Sequence, residues 1–146
     1  MSSPPRILIA EEDFFLRQLE AEVLRCAGCE VDDVEDGVAA WDLLRRKTYD
    51  LLITDNQIPM VSGEELVRLV HAARLPLPVI LAAGGLSTWE SAPDPFLQPF
   101  TILFKPYTIA ELMEVVQEKL HAQTGAGDDA TPASLQRQQP VRDLRI

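Results

Sequence analysis

The sequence predicts an α/β domain in which a doubly wound parallel sheet is covered by helices on both faces. Three observations predict it. Short apolar runs alternate with amphipathic stretches along most of the chain, as a series of βα units would. Caps and breakers such as Gly28, Asp36, Pro76 and Thr108 stand at the boundaries. The length of 146 residues and a hydrophobic fraction of 47% suit one packed core.

The elements follow in order. Arg6-Ile7-Leu8-Ile9-Ala10 is a short apolar run and predicts a buried strand. Residues 14–26 predict an amphipathic helix, with Phe15, Leu16, Leu19, Val23 and Leu24 at helical spacing and Gly28 as its stop. Residues 30–34 predict a second strand, more polar and so nearer a sheet edge. Asp36 can cap a helix that carries Val38, Trp41 and Leu44 and ends near Lys47. Residues 50–54 predict a third strand, apolar at its centre. A loop from Ile58 to Gly63 leads into a helix over 64–73 with Leu66, Leu69 and Val70 inward, broken by Pro76 and Pro78. Val79-Ile80-Leu81-Ala82 predicts the fourth strand and residues 101–104 the fifth. Thr108 caps a last helix carrying Leu112, Val115, Val116 and Leu120.

Residues 84–99 break the pattern. They hold Gly84-Gly85, Pro93, Pro95 and Pro99, and each interior proline costs a helix about 3 kcal/mol. One short turn near residues 87–91 and then irregular chain is expected. Trp89 and Phe96 in this stretch either form an exposed apolar surface or fold back over the sheet edge. From Gln123 the composition turns to Gly, Ala, Asp, Gln and Pro without apolar periodicity. The expected organisation is a flexible N-terminus over 1–5, one domain over 6–122 and a flexible polar tail over 123–146.

Thirteen basic residues against 23 acidic ones leave a net charge of −10. That balance opposes direct nucleic-acid binding and docking on an anionic membrane. No run reaches the ~20 apolar residues of a membrane span, and no signal peptide is visible, so the cytoplasm is expected. Cys26 and Cys29 form a lone C-x-x-C after a helix, where the dipole disfavours a thiolate. Two reduced, mostly buried structural thiols are expected. His71 and His121 fall late in helices, where a cation suits the dipole.

In doubly wound sheets, ligands bind beyond the carboxyl ends of the strands. Those ends carry Glu11, Glu12 and Asp13, then Asp55, then Ala83 and Gly84, then Lys105 and Pro106. Clustered carboxylates repel unless a cation joins them, and hard oxygen donors suit magnesium. A facing lysine can neutralise an incoming phosphoryl group. The chemistry suggested is phosphoryl transfer to a carboxylate nucleophile. The plainer reading is that Asp55 caps a loop, that the acidic run starts a helix, and that Lys105-Pro106 is an exposed turn.

Residues 6–120 resemble a response-regulator receiver domain of two-component signalling. The resemblance rests on Ile7-Leu8-Ile9-Ala10-Glu11-Glu12-Asp13, on Asp50-Leu51-Leu52-Ile53-Thr54-Asp55 with Pro59 and Gly63 after it, and on Lys105-Pro106-Tyr107. It implies a flavodoxin-like sheet of strand order 2-1-3-4-5 and a cis peptide at Lys105-Pro106. It implies that Asp55 is the phosphoacceptor and that Glu11, Glu12, Asp55 and the Gln57 backbone carbonyl hold Mg2+. Lys105 would contact the phosphoryl group. The donor would be a phosphohistidine on a sensor histidine kinase or a histidine phosphotransfer protein, with an unidentified downstream protein and a possible homodimer through the last helix. Such a chain would be a stand-alone response regulator, not an enzyme beyond slow self-phosphorylation and self-dephosphorylation.

Four positions depart from the family's pattern. Glu12 stands where an aspartate is usual, one methylene longer. Ala83 stands where a Thr or Ser hydroxyl usually binds the phosphoryl group, a loss of about 1.5–3 kcal/mol of phospho-state preference. Ile102 stands at the usual switch aromatic, three residues before Lys105. The helix before the fifth strand looks truncated. These features carry the second reading, a phosphorylation-independent pseudo-receiver that acts as a protein-binding module. A third reading, a small aspartate phosphatase, wants an acid two residues after the nucleophile, and Gln57 stands there.

Overall fold

In a computed structural model the described residues are 3–84 and 100–121. The expectations for the proline-rich stretch, for Trp89 and Phe96, and for the C-terminal tail lie outside them. The elements are β1 (Arg6–Ala10), α1 (Phe14–Cys26), β2 (Glu30–Val34), α2 (Gly37–Arg46), β3 (Leu51–Asp55), α3 (Gly63–Ala72), β4 (Val79–Gly84), β5 (Phe100–Lys105) and α4 (Ile109–His121). All strand pairs are parallel, in the order β2-β1-β3-β4-β5. The more polar β2 lies at an edge, as its composition requires.

Period-2 alternation divides the core into two layers. Leu8, Ala10, Leu52, Val79 and Leu81 face α2 and α3, meeting Ala40, Leu44, Leu66, Val67 and Val70. Ile7, Ile9, Leu51, Ile53, Ile80 and Leu103 face α1 and α4, meeting Ala21, Leu24, Leu112, Val115 and Val116. The helices start on local caps. Asp13, Asp36 and Ser62 side chains accept from Leu16, Ala39 and Glu65 amides, and Glu65 completes a capping box. Thr108 and Glu111 exchange the same reciprocal bonds at α4. Gly28, at φ 99°, turns the chain out of α1 into β2.

Two expectations are corrected. The inward face of α1 is Arg17, Glu20, Ala21 and Leu24, while Phe14, Phe15 and Leu19 are 56%, 81% and 48% exposed. Apolar spacing alone misplaced this face, because two charged residues find buried partners elsewhere in the fold. Cys26 is exposed and Cys29 half-buried, so the thiols are free but not both buried. The Trp41 ring packs at the margin of the core with the Arg45 guanidinium 5.7 Å from its centroid.

Candidate functional site

Register assembles the site. Ala10 pairs with Thr54, so Glu11 and Asp55 are the next residues on neighbouring strands. Asp55 pairs with Ala82, and Gly84 pairs with Lys105. Glu11, Asp55 and Lys105 share the alternation of Ile9, Ile53 and Leu103, which places all three toward the face covered by α1 and α4.

Asp55 ends a strand whose five residues are all buried, and is itself 8% exposed. The Lys105 ammonium donates to Asp55 Oδ2 at 3.0 Å. Burial works against the charged lysine, but the hydrogen bond and charge of Asp55, with Glu11 and Glu20, outweigh it and hold its pKa above the ordinary value. Glu11 is 4% exposed and accepts from the Asp13 amide at 2.9 Å. Burial raises its pKa most; the Asp13 amide opposes that rise, and the Asp55 charge adds to it. The Lys105–Pro106 peptide is cis.

The loop after β3 is tied down closely. The Asn56 amide donates to the Ala82 carbonyl at 2.8 Å, and Asn56 Oδ1 accepts from the Glu64 amide at 3.0 Å. Gly63 donates to the Asn56 carbonyl at 2.9 Å. A Cβ at Gly63 would collide with the Asp55 carbonyl oxygen and lie 2.7 Å from Asn56 Cα, so only glycine allows this approach.

The other expected residues fall as follows. Glu12 and Gln57 are exposed, and the Gln57 amide reaches Asp55 Oδ1 at a long 3.5 Å. Ala83 is 1% exposed at the end of β4 and shares the alternation of Val79 and Leu81. Ile102 packs against the layer under α2 and α3. Neither side chain offers a hydroxyl. Among the described residues no group of three or more His, Cys, Asp or Glu side chains gathers at metal-ligand spacing. The oxygen donors still fit a hard divalent cation. Magnesium asks for one or two carboxylates, and Glu11 and Asp55 are two whose charges disfavour each other without one.

Sequence reasoning missed two residues. Arg17, 8% exposed, donates through Nη1 to the Glu11 carbonyl at 2.7 Å and the Glu12 carbonyl at 3.4 Å. Its Nε donates to Asp33 Oδ2 at 3.2 Å, which also anchors the acidic loop to β2. Glu20, 1% exposed, accepts from the Tyr107 hydroxyl at 2.6 Å. Burial, countered by that bond and reinforced by Glu11, pushes its carboxyl up to about 7. The signal available was the spacing 17, 20, 21, 24, a helical stripe that two charged residues disguised.

The chain is similar to known proteins in sequence and in fold. The family model described as the response regulator receiver domain matches residues 7–117. A chemotaxis protein CheY homolog of Campylobacter jejuni is 29% identical over 131 residues, covering 86% of this chain and 98% of that protein. The response regulator receiver protein CpdR of Brucella abortus is 26% identical over 117 residues, covering 80% and 98%. The two-component response regulator-like protein APRR9 of Arabidopsis thaliana is 39% identical over 83 residues, but there the match spans 54% of this chain and 18% of the relative. The probable transcriptional regulatory protein SilR of Salmonella typhimurium is 32% identical over 115 residues, covering 79% of this chain and 50% of that protein, so the chain spans half or less of both these relatives. The solved structure of CheY4 from Vibrio cholerae superposes with a TM-score of 0.71 at 23% identity, over 81% of this chain and all of the other.

Proposed function

The chain belongs to the response regulator receiver domain family, and from that premise we propose that Asp55 accepts a phosphoryl group from a phosphohistidine donor. The observation that carries the reading is the buried Asp55 carboxylate paired at 3.0 Å with Lys105 beside Glu11. An Asp55 oxygen attacks phosphorus, the P–N bond of the donor breaks, and the imidazole leaves with a proton. Lys105 accompanies the transferred charge. Glu11, Glu12, Asp55 and the Gln57 carbonyl are the groups that would hold Mg2+, which supplies neutralising charge to phosphoryl oxygens when bound. The donor is a sensor histidine kinase or a histidine phosphotransfer protein. Phe14 and Phe15, exposed directly after the acidic run, supply apolar surface at this rim for such a protein. Output is through protein contacts in the cytoplasm; no described helix is long and apolar enough to cross a membrane.

Incubation of the protein with acetyl phosphate and Mg2+, followed by intact mass, tests the reading. One added phosphoryl mass is expected, lost on chelation and lost in Asp55→Asn. Absence of any adduct with acetyl phosphate and with a phosphohistidine donor overturns it. The second reading, a phosphorylation-independent binding module, is favoured by Ala83 and Ile102. It expects partner binding unchanged by Asp55→Asn.

A further inference from the structure

We propose that Glu20 and Tyr107 are positioning residues that hold Lys105 against Asp55 through a buried hydrogen bond between α1 and the chain just after β5. This rests on the phosphoacceptor reading of Asp55. Lys105 is the last residue of β5, an edge strand, and two residues later the chain reaches Tyr107. The stretch between is Pro106, which is exposed and brings no amide donor to hold it. The Tyr107 ring packs against the layer under α1 and α4, and its hydroxyl donates to Glu20 Oε2 at 2.6 Å across 87 residues of sequence.

Glu20 is 1% exposed on a helix face that otherwise buries Ala21 and Leu24. A buried carboxylate is costly, and here it stands within the field of Glu11, Asp55 and Lys105. Arg17, one turn earlier on the same face, holds the Glu11 and Glu12 carbonyls. Helix α1 therefore grips both sides of the site: the acidic loop through Arg17 and the lysine segment through Glu20. A glutamate bound to a tyrosine hydroxyl sets how far Tyr107, and with it Lys105, stands from the sheet end. Leucine at position 20 would fill the core but leave the hydroxyl without its partner.

The test compares adduct formation from acetyl phosphate with Mg2+ in Tyr107→Phe, Glu20→Leu and Glu20→Gln, each checked for unchanged folding by circular dichroism. Tyr107→Phe and Glu20→Leu are expected to slow the rate about fivefold or more, while Glu20→Gln, which keeps an acceptor oxygen, stays within about twofold. In a Lys105→Ala background, Tyr107→Phe is expected to add no further loss, because its effect passes through the lysine. Equal losses with and without Lys105, or rates of Tyr107→Phe within about twofold of the parent, overturn the proposal. Solvent exchange of the Lys105 ammonium protons, followed by NMR at one fixed pH, gives a readout that needs no phosphorylation. In Tyr107→Phe these protons are expected to exchange with solvent about threefold faster or more, as the ion pair with Asp55 loosens. No adduct in the parent protein together with that faster exchange in Tyr107→Phe defeats the phosphoacceptor reading alone; an unchanged exchange rate defeats the positioning proposal.

Discussion

Glu20 is the residue whose environment departs furthest from what a helix surface offers. Burial raises its carboxyl to about 7 from an ordinary value of 4.5. Folding therefore takes up a proton between those values. The protonated state makes its full contribution below about pH 4.5, and stability falls as pH rises through 7. The span corresponds to roughly 3 kcal/mol at most. Glu11 has the same sign, since its pKa is also raised. Urea unfolding of metal-free protein from pH 5 to 8 is expected to show this decline, and Glu20→Gln to flatten it. An identical slope in the variant would place the linkage elsewhere. At Gly63 the constraint is steric rather than electrostatic. Gly63→Ala pushes a methyl against the Asp55 carbonyl, and a loss of about 1–3 kcal/mol is expected in the same unfolding assay.

Among the elements, α1 departs most from its sequence pattern. Its ends were legible, because Asp13 and Gly28 act within one turn of themselves. Its inward face was not. Phe15 and Leu19 point the periodicity one way, whereas Arg17 and Glu20 are buried the other way by partners distant in sequence, Asp33 and Tyr107. Arg17→Ala is expected to cost about 2 kcal/mol, because the Glu11 carbonyl and Asp33 lose a charged donor. It is also expected to weaken Mg2+ binding, measured by fluorescence or calorimetric titration, since the acidic loop loses its clamp. Phe15→Ser is expected to change stability by no more than about 0.5 kcal/mol, because the ring is 81% exposed. Slower transfer from a protein donor, with acetyl phosphate unaffected, would place that ring in the docking surface.

Across the whole molecule, the topology converts scattered strand ends into one rim. Deleting residues 123–146 is expected to leave the unfolding midpoint and adduct formation unchanged, since the family match ends at residue 117. A lower midpoint would extend the domain into that segment. Read by itself, the sequence determined the number, order and type of the βα units among the described residues. Period-2 and period-3.6 patterns and local caps act over a few residues and need no distant partner. It also determined which chemistry each strand end carries: Glu11, Asp55, Ala83, Lys105. Only the tertiary structure decided that Lys105 meets Asp55 at 3.0 Å across 50 residues, and that Arg17 and Glu20 turn inward. The physical reason is that a charge is buried only where a partner waits in space, and no local pattern records where that partner stands.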